Sequence, residues 1–271
     1  MNHLYAHRVA DVSIADINSL SIYPLMRDGR TLLLLPTLNE EKALEKLIPE
    51  VPAGFDVLVV DSGSSDRTVD VAQDAGFRVL NVKYGRGQGS GIRTGMEYFL
   101  ERDYDYLVTA DCDYTDVLSG LPAAVEYAQN RGFNIVLGIR DFKKQRHILG
   151  PVTILVKKIV CFMIRLLTGA NVRDILTGVW ILDRETVGSI APELRCVGFE
   201  YSFEIFSIAW RKGLKIGEAD IDFRKRIGET KLTLTKRIIM VCQGLKYGAR
   251  ILKWKVSGRS QPKTPSSQFS S

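Results

Sequence analysis

Asp111-Cys112-Asp113 places two carboxylates two residues apart, directly after the apolar stretch Tyr106–Ala110. At the end of a buried strand such a pair can converge on one divalent cation, and hard carboxylate oxygens suit Mg2+ or Mn2+ bridging phosphates. Thr115 and Asp116 follow closely enough to add ligands, while Cys112 contributes its backbone. The competing reading is a solvated loop; the strand just before the pair favours a site. Two further polar clusters lie in the same kind of place. Pro36-Thr37-Leu38-Asn39-Glu40 follows the run Thr31–Leu35, and Asp61-Ser62-Gly63-Ser64-Ser65-Asp66 follows Asp56–Val60. Asn, Ser and Asp also serve as plain helix caps; the functional reading is a nucleoside lying across both turns.

The elements that must position these clusters alternate. Thr31–Leu35, Asp56–Val60, Arg78–Val82, Tyr106–Ala110 and Ile135–Gly138 read as buried strands, with Pro36 ending the first. Helical spacing fills the intervals: Asn39–Ile48, a helix through Val69, Val71 and Ala72, one from the glycine-rich Gly85–Gly91 to about 102, and one over about 118–130. This order predicts an α/β fold with βαβ units, a mostly parallel sheet and right-handed crossovers. Ligands in such sheets bind beyond the carboxyl ends of the strands. The clusters at 39–40, 61–66, 111–113 and Arg140-Asp141 all fall there. After residue 145 the pattern changes to a long amphipathic helix at Pro151–Leu167, a strand at Val179–Leu182, a helix at Ser202–Lys212, an edge strand at Asp220–Phe223 and a last helix over 234–256.

The 271-residue chain, 45% hydrophobic and 25% charged, is long enough for a sizeable core. Residues 1–29 read as an N-terminal extension, 30–233 as the catalytic domain, 234–256 as a basic amphipathic helix, and the Ser-, Pro- and Gln-rich 257–271 as a disordered tail. From Thr230 onward there is no acidic residue but nine Lys or Arg, whereas residues 1–229 carry 28 basic and 31 acidic side chains. The acidic body and the lack of a recognisable motif argue against nucleic acid; the basic segment suits an anionic surface. The cysteines at 112, 161, 196 and 242 have no C-x-x-C spacing and read as reduced cytosolic thiols, and the three histidines form no metal pattern. No run approaches the ~18 apolar residues of a spanning helix, and no secretory h-region is expected.

PTLNE, VVDSGSSDRT, GRGQGSGIRTG, ADCD, GIR, DILTG and RIGETKL occur in this order. The set resembles the family 2 glycosyltransferases of GT-A fold, and within them the dolichyl-phosphate mannose synthases and related polyprenyl-phosphate hexosyltransferases, over about residues 30–235. The resemblance implies an inverting, metal-dependent hexosyltransferase that takes a nucleotide sugar, GDP-mannose or a UDP-hexose, and a polyprenyl or dolichyl phosphate. It implies that Pro36, Leu38 and Glu40 contact the nucleotide, and that Asp61 and Ser62 lie near base and ribose. By the same resemblance Asp111, Cys112 and Asp113 meet metal and diphosphate, Arg140 lies near sugar and phosphates, and Arg226 and Lys231 close over the diphosphate. Ser62 stands where relatives often carry a second acid, and Leu38 where many carry an aromatic; both bear on base recognition.

The chemistry of a diphosphate leaving group asks for neutralisation by a metal and by cations such as Arg140, Arg226 and Lys231. Asp174 and Thr177 position sugar or acceptor, or else make a cap and a turn. Glu200 is an acid or base, or a structural ion-pair partner. Lys157, read as a contact to the acceptor phosphate, stands among the cations of the 151–167 helix, interleaved with Ile154, Leu155, Ile159, Phe162, Met163 and Leu166. The last helix spaces Ile238, Cys242, Leu245, Ala249, Leu252 and Val256 by fours and threes, while Lys246, Arg250 and Lys253 fall on another face with Trp254 beside these cations. Such a helix lies in a membrane interface, or its stripe packs on the domain. The expected location is the cytoplasmic face of a membrane, as a peripheral protein, with a homo-oligomer or a membrane subunit as further partners. The alternatives are the same fold acting on a soluble or polysaccharide acceptor, and a non-enzymatic nucleotide or nucleic-acid binding module.

Overall fold

The computed structural model describes residues 29–140, 151–228 and 234–257. The N-terminal extension to residue 28, Asp141, Lys231 and the tail beyond 257 lie outside these residues. Seven strands form one sheet: β1 Thr31–Thr37, β2 Phe55–Asp61, β3 Arg78–Asn81, β4 Tyr106–Thr109, β5 Ile135–Arg140, β6 Trp180–Asp183 and β7 Ile216–Ile221, in the order β3-β2-β1-β4-β6-β5-β7. All pairings are parallel except those of β6, which runs antiparallel between β4 and β5. The other strands share a direction, so the ends of β1, β2, β4 and β5 lie on one edge.

The helices are α1 Glu41–Leu47, α2 Thr68–Asp74, α3 Gln88–Leu100, α4 Leu121–Arg131, α5 Pro151–Thr168, α6 Arg184–Ile190, α7 Tyr201–Lys212 and α8 Leu234–Val256. They cover both faces of the sheet, which is why β1 is a continuous leucine run rather than an alternating one. Leu33 and Leu35 pack with Leu44, Val71, Leu121 and Val125, while Leu32 and Leu34 pack with Ile92, Met96, Phe99 and Phe206.

Pro36 does not end β1. Ala110 N donates to Leu34 O, while Ser62 N donates to Thr37 O. Pro36 therefore shares Leu34's side, toward β4, which has already stopped at Thr109; its missing N–H leaves no gap in the ladder. The expected edge strand lies earlier, at β7, because its pattern hides a buried acid: Glu218 accepts from Arg173 N (2.6 Å) and Nε (2.7 Å). Helix α6 was not anticipated, although Asp183 before it is a sequence-level cap that accepts from Thr186 N at 2.7 Å.

From Cys242 onward the apolar stripe of α8 faces outward. Leu245, Leu252 and Val256 are 56%, 51% and 83% exposed, and Cys242 is exposed as well. The buried side is Gly244, Tyr247, Gly248 and Ile251, set against α5 and α7 with Tyr247 stacked on Phe203. Trp254 lies 4.9 Å from both Arg211 and Arg250, covered by guanidinium groups. On α5, Leu155, Ile159, Phe162 and Leu166 form a second exposed apolar row. No helix among the described residues is long and apolar enough to cross a membrane.

Candidate active site

The 111–116 loop leaves β4 at the edge where β1 and β5 also end. Asp111 N donates to Asp116 Oδ2 (3.1 Å), which curls the loop back on itself. Asp111 Oδ1 accepts from Gln88 Nε2 (2.9 Å), and Oδ2 from Arg140 Nη2 (3.0 Å). Arg140, the last residue of β5, also donates through Nε (3.0 Å) and Nη2 (2.7 Å) to Asp116, which has no exposed surface. Asp113 Oδ1 accepts from Thr115 N (3.0 Å) and Thr115 Oγ1 (2.5 Å), and its Oδ2 lies 3.2 Å from Arg226 Nη1. Arg226 Nη2 donates to Glu40 Oε1 at 2.7 Å, tying the β7–α8 segment to the β1–α1 turn. Four carboxylates thus face two guanidinium groups.

Burial pushes the Asp111 carboxyl up to about 6, with the charges of Asp113 and Asp116 adding to the rise and Arg140 opposing it. Burial works against the Arg140 charge, but Asp116 and Asp111 more than offset it, so Arg140 is held protonated. Tyr201, at the head of α7, is kept neutral by burial and then by the Asp111 charge. Gly178 is required by close approach: a Cβ there would sit 2.4 Å from the Asp111 carboxyl.

Asp61 caps its own turn, accepting from Gly63 N (2.8 Å), Ser64 N (2.9 Å) and Ser64 Oγ (2.5 Å). Ser62 is buried and bonded to β1 through its N–H. Asn39 and Ser64 knit the β1 and β2 turns together, and Glu40 N donates to Thr68 Oγ1 (2.9 Å). Pro36 and Leu38 are half-buried beside them, and the Cys112 side chain is in the core.

The sequence reading missed two side chains, Arg86 and Gln88. Arg86 donates to Ser62 O (2.9 Å) and Gly63 O (2.7 Å), closing the β2 turn, and Gln88 reaches Asp111. Both lie in the glycine-rich segment, where glycines drew the attention. Those glycines admit the 197–198 backbone: a Cβ at Gly87 would be 2.3 Å from Val197 O.

The residues read as acceptor contacts lie as follows. Lys157 and Asp174 form a buried pair at 2.5 Å, and Thr177 donates to Gly138 O (2.6 Å) beneath β5. Glu200, half-buried before α7, accepts from Val197 N (3.2 Å) and Gly198 N (3.1 Å).

A mostly parallel sheet of this order, with acids at the β4 end, is a GT-A fold. Residues 33–187, more than half of the chain, match the model of glycosyl transferase family 2, and the chain belongs to that family. An undecaprenyl-phosphate mannosyltransferase of Micrococcus luteus is 29% identical over 219 residues, covering 75% of this chain and 88% of that protein. A dolichyl-phosphate hexose transferase of Haloferax volcanii is 29% identical over 224 residues, covering 78% of this chain and 92% of that protein. Among solved structures, the glucosyl-3-phosphoglycerate synthase of Mycobacterium tuberculosis with UDP superposes with a TM-score of 0.66 at 21% identity. The match covers 89% of this chain and 86% of that one, and speaks for the fold alone.

Proposed function

We propose that the protein transfers a hexose from a nucleotide sugar to a polyprenyl or dolichyl phosphate, with inversion at the anomeric carbon. The observation that carries this reading is the cluster of Asp111, Asp113, Arg140 and Arg226 at the strand edge, in a chain whose relatives are named for polyprenyl-phosphate acceptors.

Asp111 and Asp113 are the proposed metal ligands. The donor set fits Mg2+ or Mn2+: hard oxygens, and more carboxylate than guanidinium charge. No group of three or more His, Cys, Asp or Glu placed to hold a metal occurs among the described residues. A cation held by these two carboxylates would leave most of its shell to water and substrate oxygens, as is usual for Mg2+. When bound, it neutralises charge on the leaving diphosphate. Thr115 orients Asp113 through its hydroxyl, and Arg140 holds Asp111 and Asp116. Arg226 exchanges its carboxylate partners for the diphosphate, with Lys231 joining from the same segment. The nucleoside lies across the turns of Pro36, Leu38, Glu40, Asp61 and Ser62, and Glu200 is the acceptor-side group. A phosphate monoester has a second pKa near ~6 and is already largely ionised at neutral pH, so its oxygen attacks without a general base.

The lipid part of the reading rests on α5 and α8. Each turns an apolar row outward, and neither contains an acidic residue. Cations interleaved with exposed Leu, Ile and Phe suit the interface of an anionic membrane, here assigned to the cytoplasmic face. Leu245→Glu with Leu252→Glu is expected to lower binding to vesicles containing phosphatidylserine by at least about 100-fold, from two lost apolar insertions. Both positions are exposed, so the fold tolerates the change. Vesicle sedimentation checks this, and unchanged binding removes α8 from the interface.

Arg226→Ala is expected to lower turnover about 10- to 150-fold, by loss of a charge-assisted contact, while weakening nucleotide binding less. Initial rates beside GDP and UDP titrations separate the two; an unchanged rate returns Arg226 to a surface ion pair. The reading as a whole is tested with GDP-mannose, UDP-glucose and UDP-N-acetylglucosamine in turn, with dolichyl phosphate and Mn2+ or Mg2+. One donor should yield a glycosylated lipid phosphate by mass; none doing so overturns it.

A further inference from the structure

Tyr114, next to Asp113, has φ +71, one of two described residues other than glycine with positive φ. A bulky aromatic holds the left-handed conformation only when its surroundings impose it. Its ring packs against the apolar core beneath the sheet, and one polar side chain holds it from the other side. Arg224 lays its guanidinium over the Tyr114 ring, 3.2 Å from the centroid, and donates Nε to Tyr114 O at 2.8 Å. Its two other nitrogens fork onto Glu50 at 2.8 and 2.6 Å, and Glu50 belongs to the short 3-10 turn after α1. The Arg224 hydrogen bonds hold Glu50 below the usual carboxylate range, with the Tyr114 hydroxyl adding to the effect.

The backbone fixes Arg224 in turn. Val117 N donates to Asp222 O (3.1 Å), Arg224 N to Thr115 O (2.9 Å), and Ile227 N to Asp113 O (3.1 Å). Arg224 is thus registered against the loop and anchored to a distant part of the body. A lysine cannot replace it, because a single ammonium has neither the flat face for the ring nor the fork for the carboxylate.

We propose that Arg224 is a positioning residue for the divalent cation: with Glu50 as its anchor, it clamps Tyr114 and so fixes the Asp113 carboxylate for metal binding. The proposal rests on the reading of Asp113 as a metal ligand. Arg224 itself need not touch donor or metal, since its fork and its Nε are committed to Glu50 and Tyr114. Groups that orient metal ligands typically matter about 10- to 100-fold in metal affinity.

The test uses the full chain and its Arg224→Met, Arg224→Lys and Glu50→Gln variants. GDP and UDP binding is titrated calorimetrically with MnCl2 and, separately, with EDTA. The expected result is a nucleotide affinity about 10- to 100-fold weaker than wild type in Mn2+ for Arg224→Met, and equal to wild type in EDTA. Arg224→Lys should not rescue, and Glu50→Gln should shift the Mn2+ arm in the same direction by less. Glu50→Gln carries the test if Arg224→Met does not fold. Equal weakening in Mn2+ and EDTA overturns the proposal, because a merely structural ion pair harms both arms alike. Unchanged binding in both arms also overturns it. If wild type binds neither nucleotide under either condition, the donor-site reading fails first, and the clamp falls with it.

Discussion

Asp113→Asn is expected to cut transfer by about 100- to 1000-fold, the scale of losing one preorganised electrostatic contact to the transition state. The fold should survive. The amide keeps the volume of the carboxylate, and its oxygen still accepts from Thr115 N and Thr115 Oγ1, so the turn after the pair stays closed. What disappears is the charge that faces Arg226 and is available to a cation. Initial rates over a range of Mn2+ concentrations, with thermal unfolding in parallel, separate chemistry from stability. A rate within a few-fold of wild type at ordinary Mn2+ would remove Asp113 from the metal site.

Arg140→Met should damage both stability and activity. Arg140 is buried and bonds to Asp116 and Asp111, so its loss leaves carboxylates facing one another without their shared cation. Removing one partner of a buried pair costs about 3–5 kcal/mol, a large share of a domain's net stability. The loop should relax by protonating Asp111, whose carboxyl is already raised, and a protonated Asp111 is a poor metal ligand. Urea denaturation gives the stability change, and nucleotide titration with Mn2+ gives the site change. Full stability with activity lost would mean that Arg140 serves the substrate rather than the fold. Unchanged values of both would mean that the cluster carries neither role.

The strand edge was legible because a strand buried on both faces is written as an unbroken apolar run. Leu32 to Leu35 needed no alternation to be read, and the polar clusters after β1, β2, β4 and β5 followed from it. The antiparallel β6 was not legible, since Trp180–Asp183 has the same composition in either direction and only its neighbours fix its sense. The outward turn of the α8 stripe was equally hidden. A four-three spacing says that apolar residues share a face, not whether that face is the covered one. The packing was settled by Gly244 and Gly248, whose small size lets α8 approach Phe203 and Leu167. Within the site the acids and arginines could be found by type. Gln88, Arg86 and the Arg224–Glu50 fork could not, because an amide on a glycine-rich turn and a pair 174 residues apart carry no local signal.

The most direct test of the central claim is product analysis with whichever donor the protein accepts. Purified protein is incubated with that nucleotide sugar, Mn2+ and dolichyl phosphate in vesicles, alongside a reaction given only a soluble phosphate acceptor, 3-phosphoglycerate. The organic phase is then examined by mass. The account predicts a lipid whose mass equals dolichyl phosphate plus one anhydrohexose unit, formed by wild type and lost in Asp113→Asn. Sugar found only on the soluble acceptor, or released only as free hexose, would contradict it.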